Sequence, residues 1–179
     1  MKAIPLLALF YLSPALLAHG ATPSPYIGQE ARAIKALSAA EQDDLLAGRG
    51  MGLAKVAELN GYPGPLHVLD LAAQLELTED QRGSTRKLYE AMQLRAQDLG
   101  RRIIEAEKAL DALFASQRIA QPELAKSLAR IGSLQAQLRA VHLEAHLEQR
   151  RILSPVQIAK YRELRGYSQD AHSTPGHAH

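Results

Sequence analysis

Two long apolar stripes, separated by a short break, constrain this chain more than any other feature of its sequence. Leu88, Met92, Ala96, Leu99, Ile103, Ala106, Leu110 and Leu113 recur at intervals of three and four. Leu124, Leu128, Ile131, Leu134, Leu138, Val141 and Ala145 do the same, with Ile152 beyond them. Such spacing places every apolar residue on one helical face, nearer a 3.5 than a 3.6 repeat, which is the pattern of a coiled-coil seam. The first stripe predicts one helix from Glu79 to Ala115, roughly 55 Å long at 1.5 Å per residue. Gly100 lies inside it and offers a place for a bend. Ser116 to Gln121 interrupts the pattern, and Pro122 is expected at the first position of a second long helix ending near Leu153. Two long helices with a short link fold back as an antiparallel hairpin. No segment sustains strand alternation. The expected fold class is therefore all-α: an elongated antiparallel long-helix hairpin with short flanking helices. A lone hairpin leaves its stripes half covered, so a homodimer is the economical arrangement.

Helix starts and stops can be read directly. Thr78 and Gln81, and again Ser154 and Gln157, stand three residues apart. That is a capping box: the hydroxyl accepts from the third backbone N–H of the helix, and the Gln reaches back to the cap residue's own N–H. Each cap contributes roughly 1 kcal/mol. Leu77 and Leu153 precede the caps and are placed to staple the incoming chain onto the apolar side. Ser38 and Glu41 form a third box, opening a short helix that Gly48 should stop. A second short helix is expected from Gly50 to Leu59, halted by Asn60-Gly61. Tyr62-Pro63-Gly64-Pro65 reads as a turn or rigid link, and a further helix is expected from Leu66 to Leu75. Pro155 suits the first position of the last helix, which Gly166 ends.

Lys2 is the sole charge before Glu30, and a largely apolar run from Ala3 to Ala18 follows it, interrupted by Pro5 and Pro14. The run is short for a membrane span, and Ala18-His19-Gly20 supplies small residues at a signal-peptidase spacing. Residues 1–20 are thus expected to be a signal peptide that sends the chain to the periplasm, with no stable membrane insertion after cleavage; the alternative is an uncleaved N-terminal anchor. Residues 21–65 form an N-terminal extension with short helices, 66–166 the main helical domain, and 167–179 a His-rich tail expected to be disordered.

The chain has no cysteine and no Trp, and beyond the leader its one Phe is Phe114. Disulfides, thiol catalysis and thiolate metal sites are excluded. The lack of aromatic platforms argues against single-stranded nucleic acid as a partner. From Ser116 to Arg165 there are nine basic and four acidic residues, against four and seven from Glu30 to Leu77. The plain reading of this gradient is a solvated helix surface; the functional one is a weakly cationic face for acidic or unfolded partners.

The two motifs Leu77-Thr78-Glu79-Asp80-Gln81 and Leu153-Ser154-Pro155-Val156-Gln157 together resemble the paired L-[TS]-x-x-Q motifs of the Spy/CpxP family of periplasmic proteins. One stands before a long helix and the other before the last helix, as in that family, and the resemblance covers about Leu66 to Gly166. Ser154 replaces the commoner Thr and keeps the capping chemistry. The resemblance implies a thin, cradle-shaped helical dimer. Spy-like members are ATP-independent chaperones, which implies that this chain binds unfolded or misfolded envelope proteins. CpxP-like members regulate envelope-stress signalling, which implies a sensor-kinase periplasmic domain as a further partner.

His142 and His146 lie four apart on the second long helix, so they share a face and can share a metal. A related group, periplasmic heavy-metal resistance sensors such as CnrX and ZraP, binds metals through helical His and acidic residues or His-rich tails. The alternative function is accordingly a periplasmic metal-binding or metal-sensing resistance protein, with Zn, Ni or Cu as the ion; the chaperone reading needs no cofactor. Zinc usually takes three or four ligands. His67, Met92 or the tail residues His172, His177 and His179 are available to complete the set, though no spacing fixes which. The plainer reading is two half-exposed helix histidines. No enzyme is expected. Gly48-Arg49-Gly50-Met51-Gly52 lacks the Lys of a phosphate-binding loop, and no Gly-x-Ser-x-Gly elbow occurs.

Overall fold

A computed structural model describes residues 22–167. The expected signal segment and the tail histidines His172, His177 and His179 lie outside the described residues. After a 3-10 turn at Gln29–Ala31 come six α-helices: α1 (Ala39–Ala47), α2 (Lys55–Leu59), α3 (Pro65–Asp70), α4 (Glu79–Ala115), α5 (Gln121–Ile152) and α6 (Pro155–Leu164). The described residues contain no strand. The fold is all-α, and the two long helices α4 and α5 pack on each other as a hairpin.

The apolar stripes meet as expected in the middle of the hairpin. Met92, Ala96, Leu99, Ile103 and Ala106 of α4 face Ile131, Leu134, Leu138, Val141 and Ala145 of α5 in one buried cluster. The stripe fades toward the hairpin tip, where Leu128 is 52% exposed and Phe114 54% exposed. Pro122 occupies the second position of α5, because the helix starts one residue earlier, at Gln121. Residues 51–54 turn before α2, and α3 gives way to turns at Leu71, so both elements are shorter than the apolar pattern predicts. Five- and six-residue helices form too few internal hydrogen bonds to extend without tertiary support.

Gly100 has a purpose other than a bend. A methyl group on it would lie 2.1 Å from the Leu45 carbonyl oxygen and 2.7 Å from the Leu45 carbonyl carbon. The missing side chain lets the backbone of α1 rest directly on α4. Gly48, in the left-handed conformation at φ 67°, ends α1, with its N–H on the Leu45 carbonyl and the Arg49 N–H on the Asp44 carbonyl.

All three capping boxes are closed on both sides. Leu77 and Leu153 are buried with Val68, Ala72, Leu75 and Tyr161 in a second core cluster, as stapling residues should be. The glutamines of the paired motifs do more than cap. Gln81 and Gln157 exchange two amide hydrogen bonds of 2.9 Å, each Nε2 donating to the other's Oε1. Gln81 Nε2 also donates to the Ile152 carbonyl at the end of α5, at 2.9 Å, and Gln157 Nε2 to the Leu75 carbonyl, at 3.2 Å. Each Oε1 still accepts from its own cap residue, Thr78 N or Ser154 N. The two motifs are therefore one clasp, joining the start of α4, the end of α5 and the start of α6.

Candidate functional site

His142 and His146 are both buried, 3% and 9% exposed, which overturns the expectation of half-exposed helix histidines. Residues 55–65 cause the difference. Pro63, Gly64 and Pro65 are themselves buried, packed over the last turns of α5. The Arg150 guanidinium donates to the Gly61 carbonyl and stacks 4.8 Å from the centre of the Tyr62 ring. Periodicity along α5 cannot register a cover supplied by a segment some eighty residues earlier.

The two rings have different surroundings. His146 Nδ1 lies 2.7 Å from the Tyr62 carbonyl oxygen. A carbonyl only accepts, so Nδ1 carries a proton, and Nε2 is the ring nitrogen left to offer a lone pair. The Glu58 carboxylate is 3.8 Å from the same Nδ1. Glu58 is held in turn by the Tyr161 hydroxyl, donating at 2.6 Å, and by the Gly64 N–H, donating at 3.2 Å. Burial, reinforced by the Glu58 carboxylate, pushes the Tyr161 hydroxyl far above its ordinary range, so it stays a donor. His142 differs: its Nε2 is buried and has no hydrogen-bond partner. Burial, and to a lesser degree the neighbouring His146, lowers its pKa below the usual imidazole value, so the ring is neutral near pH 7.

Both rings line one cavity of about 300 Å³, together with Met92 of α4, His67 of α3 and the glycines Gly50 and Gly64. The structure thus gathers His142, His146, His67 and Met92, four of the donors singled out by sequence. It does not bring them into one coordination sphere: among the described residues no three His or acidic side chains converge on a single point. His67, at the rim, has Nδ1 3.6 Å from the Asp70 carboxylate and is partly exposed. Glu144, between the histidines in sequence, points away to Arg95 at 3.2 Å.

The chemistry of this set suits a soft or borderline metal ion. Two imidazoles four residues apart can offer lone pairs on one helix face, and a thioether lies nearby. A ring whose Nδ1 donates to a backbone carbonyl while Nε2 faces the metal is the common orientation of metal-binding histidine. Glu58, Tyr62 and Gly64 of this surround escaped the sequence reading. They are distant in the chain, and only the Pro-Gly-Pro kink hinted at a fixed turn.

No helix among the described residues is long and apolar enough to cross a membrane. An apolar groove of about 550 Å³ lies between α1, α4 and α5 and is lined by Leu37, Met51, Leu53, Ile103, Leu138 and Arg139, among others. Comparison with curated proteins and with solved structures finds no match. The family model described as heavy-metal resistance matches residues 57–160, more than half of the 179-residue chain; the matched span runs from α2 into α6, takes in the cavity histidines and the paired capping motifs, and makes this chain a member of that family.

Proposed function

We propose that this protein is exported to the periplasm and there binds a transition-metal ion, with His142 and His146 as the anchoring ligands and Met92 or His67 as the third donor. The observation that carries this reading is the unpartnered, buried Nε2 of His142 beside a ring whose Nδ1 is engaged by the Tyr62 carbonyl. Leaving a buried polar nitrogen unsatisfied costs about 1–3 kcal/mol, and native structures seldom keep such a group without a reason. A metal ion supplies one. Membership of the heavy-metal resistance family supports the same direction. The third ligand requires a side-chain movement: the His67 side chain is partly exposed, and the thioether of Met92 adapts readily.

Titration of the full chain with zinc, nickel and copper tests the proposal. A single site should appear that survives removal of residues 168–179 and vanishes in the His142→Ala, His146→Ala double variant. Binding that depends only on the tail contradicts it.

A second reading, chaperone-like capture of unfolded envelope proteins in the manner of Spy-like relatives, draws support from the apolar groove and from exposed Leu94, Phe114 and Leu128. It demands that the protein suppress aggregation of several denatured clients, without ATP and with chelator present. Failure on all of them removes this reading and leaves the metal site untouched.

A further inference from the structure

Gly64 has no conformational reason to be glycine. Its φ of −81° and ψ of 139° lie in the extended region open to any residue. A residue that precedes proline, as Gly64 precedes Pro65, is biased to that region anyway. It is also the N-cap of α3, where no side chain caps the helix and Ser, Asp or Asn would be the stronger choice.

The space around Gly64 supplies the reason. A methyl group there would lie 3.0 Å from Cε1 and 3.2 Å from Nε2 of His146, and 3.5 Å from Glu58 Oε2. The ring cannot easily retreat, because Nδ1 is tied to the Tyr62 carbonyl at 2.7 Å and the residue is 9% exposed. The methyl would therefore stand against Nε2, the nitrogen of His146 that the Tyr62 carbonyl does not engage. Gly50, which lines the same cavity, is a built-in comparison: a methyl on it would come no closer than 3.8 Å to His142 Nδ1, an ordinary contact.

We infer that Gly64 is a positioning residue whose absent side chain keeps His146 Nε2 open to a metal ion. This rests on the metal-binding reading above and adds a residue to it that is not itself a ligand. Two imidazoles alone do not select an ion or admit it; the wall facing them decides how closely it can approach.

The test is calorimetric titration of the full chain with zinc alone and with nickel alone, accompanied by thermal melts. Gly64→Ala should weaken binding by about tenfold or more, the scale on which groups around a metal ligand act, while still folding. Gly50→Ala should stay within about threefold of the wild-type affinity, since it makes only ordinary contact. Gly132→Ala, where a methyl meets nothing within 4 Å, controls for the glycine-to-alanine change itself. Wild-type affinity in Gly64→Ala overturns the inference. If Gly64→Ala does not fold, the double variant Gly64→Ala, His146→Ala decides: recovery of the fold locates the clash at the ring, and continued failure overturns the inference. No binding by the wild type would instead remove the metal reading itself, whereas binding lost in His142→Ala but kept in Gly64→Ala removes only the role of Gly64.

Discussion

Removing the Gln81 side chain should cost more stability than removing the Thr78 hydroxyl that it accompanies. In an isolated capping box the order is reversed, because the cap residue supplies the stronger bond. Thr78→Ala deletes one hydrogen bond, from the Gln81 N–H to Thr78 Oγ1 at 3.2 Å, and should cost about 1 kcal/mol. Gln81→Ala deletes four: its Nε2 to the Ile152 carbonyl and to Gln157 Oε1, and its Oε1 from Thr78 N and from Gln157 Nε2. At about 0.5–1.5 kcal/mol net for each, discounted because water reaches these half-buried groups, the loss should be about 2–3 kcal/mol. For a chain of this size that lowers the melting temperature by about 5–10 °C. Urea unfolding followed by circular dichroism gives both differences, and the Gln81→Ala, Gln157→Ala double variant completes a cycle. The two glutamines should couple by about 1 kcal/mol or more. If Gln81→Ala costs no more than Thr78→Ala and the two glutamine changes simply add, the clasp contributes nothing and the motifs are independent caps.

Gly100→Ala should destabilise the fold by about 1–3 kcal/mol, the usual cost of overpacking. The methyl must displace the Leu45 backbone, whereas Gly132→Ala on the open face of α5 should stabilise by about 0.5–1 kcal/mol through helix propensity; thermal melts of the two variants should move in opposite directions. Tyr161→Phe removes the hydroxyl that donates to Glu58 at 2.6 Å and should cost about 1.5–3 kcal/mol, the range for hydrogen bonds to charged groups, read from the shift of the urea midpoint. Metal-free protein should lose stability as pH falls below about 6.5. His142 has a lowered pKa in the folded state, so below that pH the unfolded chain binds more protons than the native one. The loss continues until the native ring itself protonates, with a slope of at most about 1.4 kcal/mol per pH unit from this group, and His142→Gln should remove that component of the pH profile. Chelation of metal from protein held at a hundredfold excess over Kd should cost about 2.7 kcal/mol, seen as a drop of several degrees in the melting temperature that the His142→Ala, His146→Ala variant does not show.

The long helices were legible because their determinants are local. Capping boxes at Thr78 and Ser154 and apolar spacing along α4 and α5 fix starts, ends and faces within a few turns of chain. The short helices were less so, since α2 and α3 owe their extent to what they pack on. At the candidate site the sequence singled out four residues that line the same cavity, His142 and His146 by their spacing and His67 and Met92 by residue type. Burial was missed, because the segment from Glu58 to Pro65 that covers the rings carries no periodic signal. The link between the two motifs was equally hidden. A Gln three residues after a cap has a sufficient local partner, and nothing in either pentapeptide announces that each amide also reaches the other.

The central claim is that His142 and His146 anchor a metal ion through Nε2. Nitrogen-15 resonances of the histidine rings, recorded while one equivalent of zinc is added to the full chain, test it most directly. The account predicts that the Nε2 signals of His142 and His146 move together and saturate at a single equivalent, while His146 Nδ1 keeps its proton on the Tyr62 carbonyl. Unchanged ring signals for these two residues, with only the histidines beyond Tyr167 responding, would contradict it.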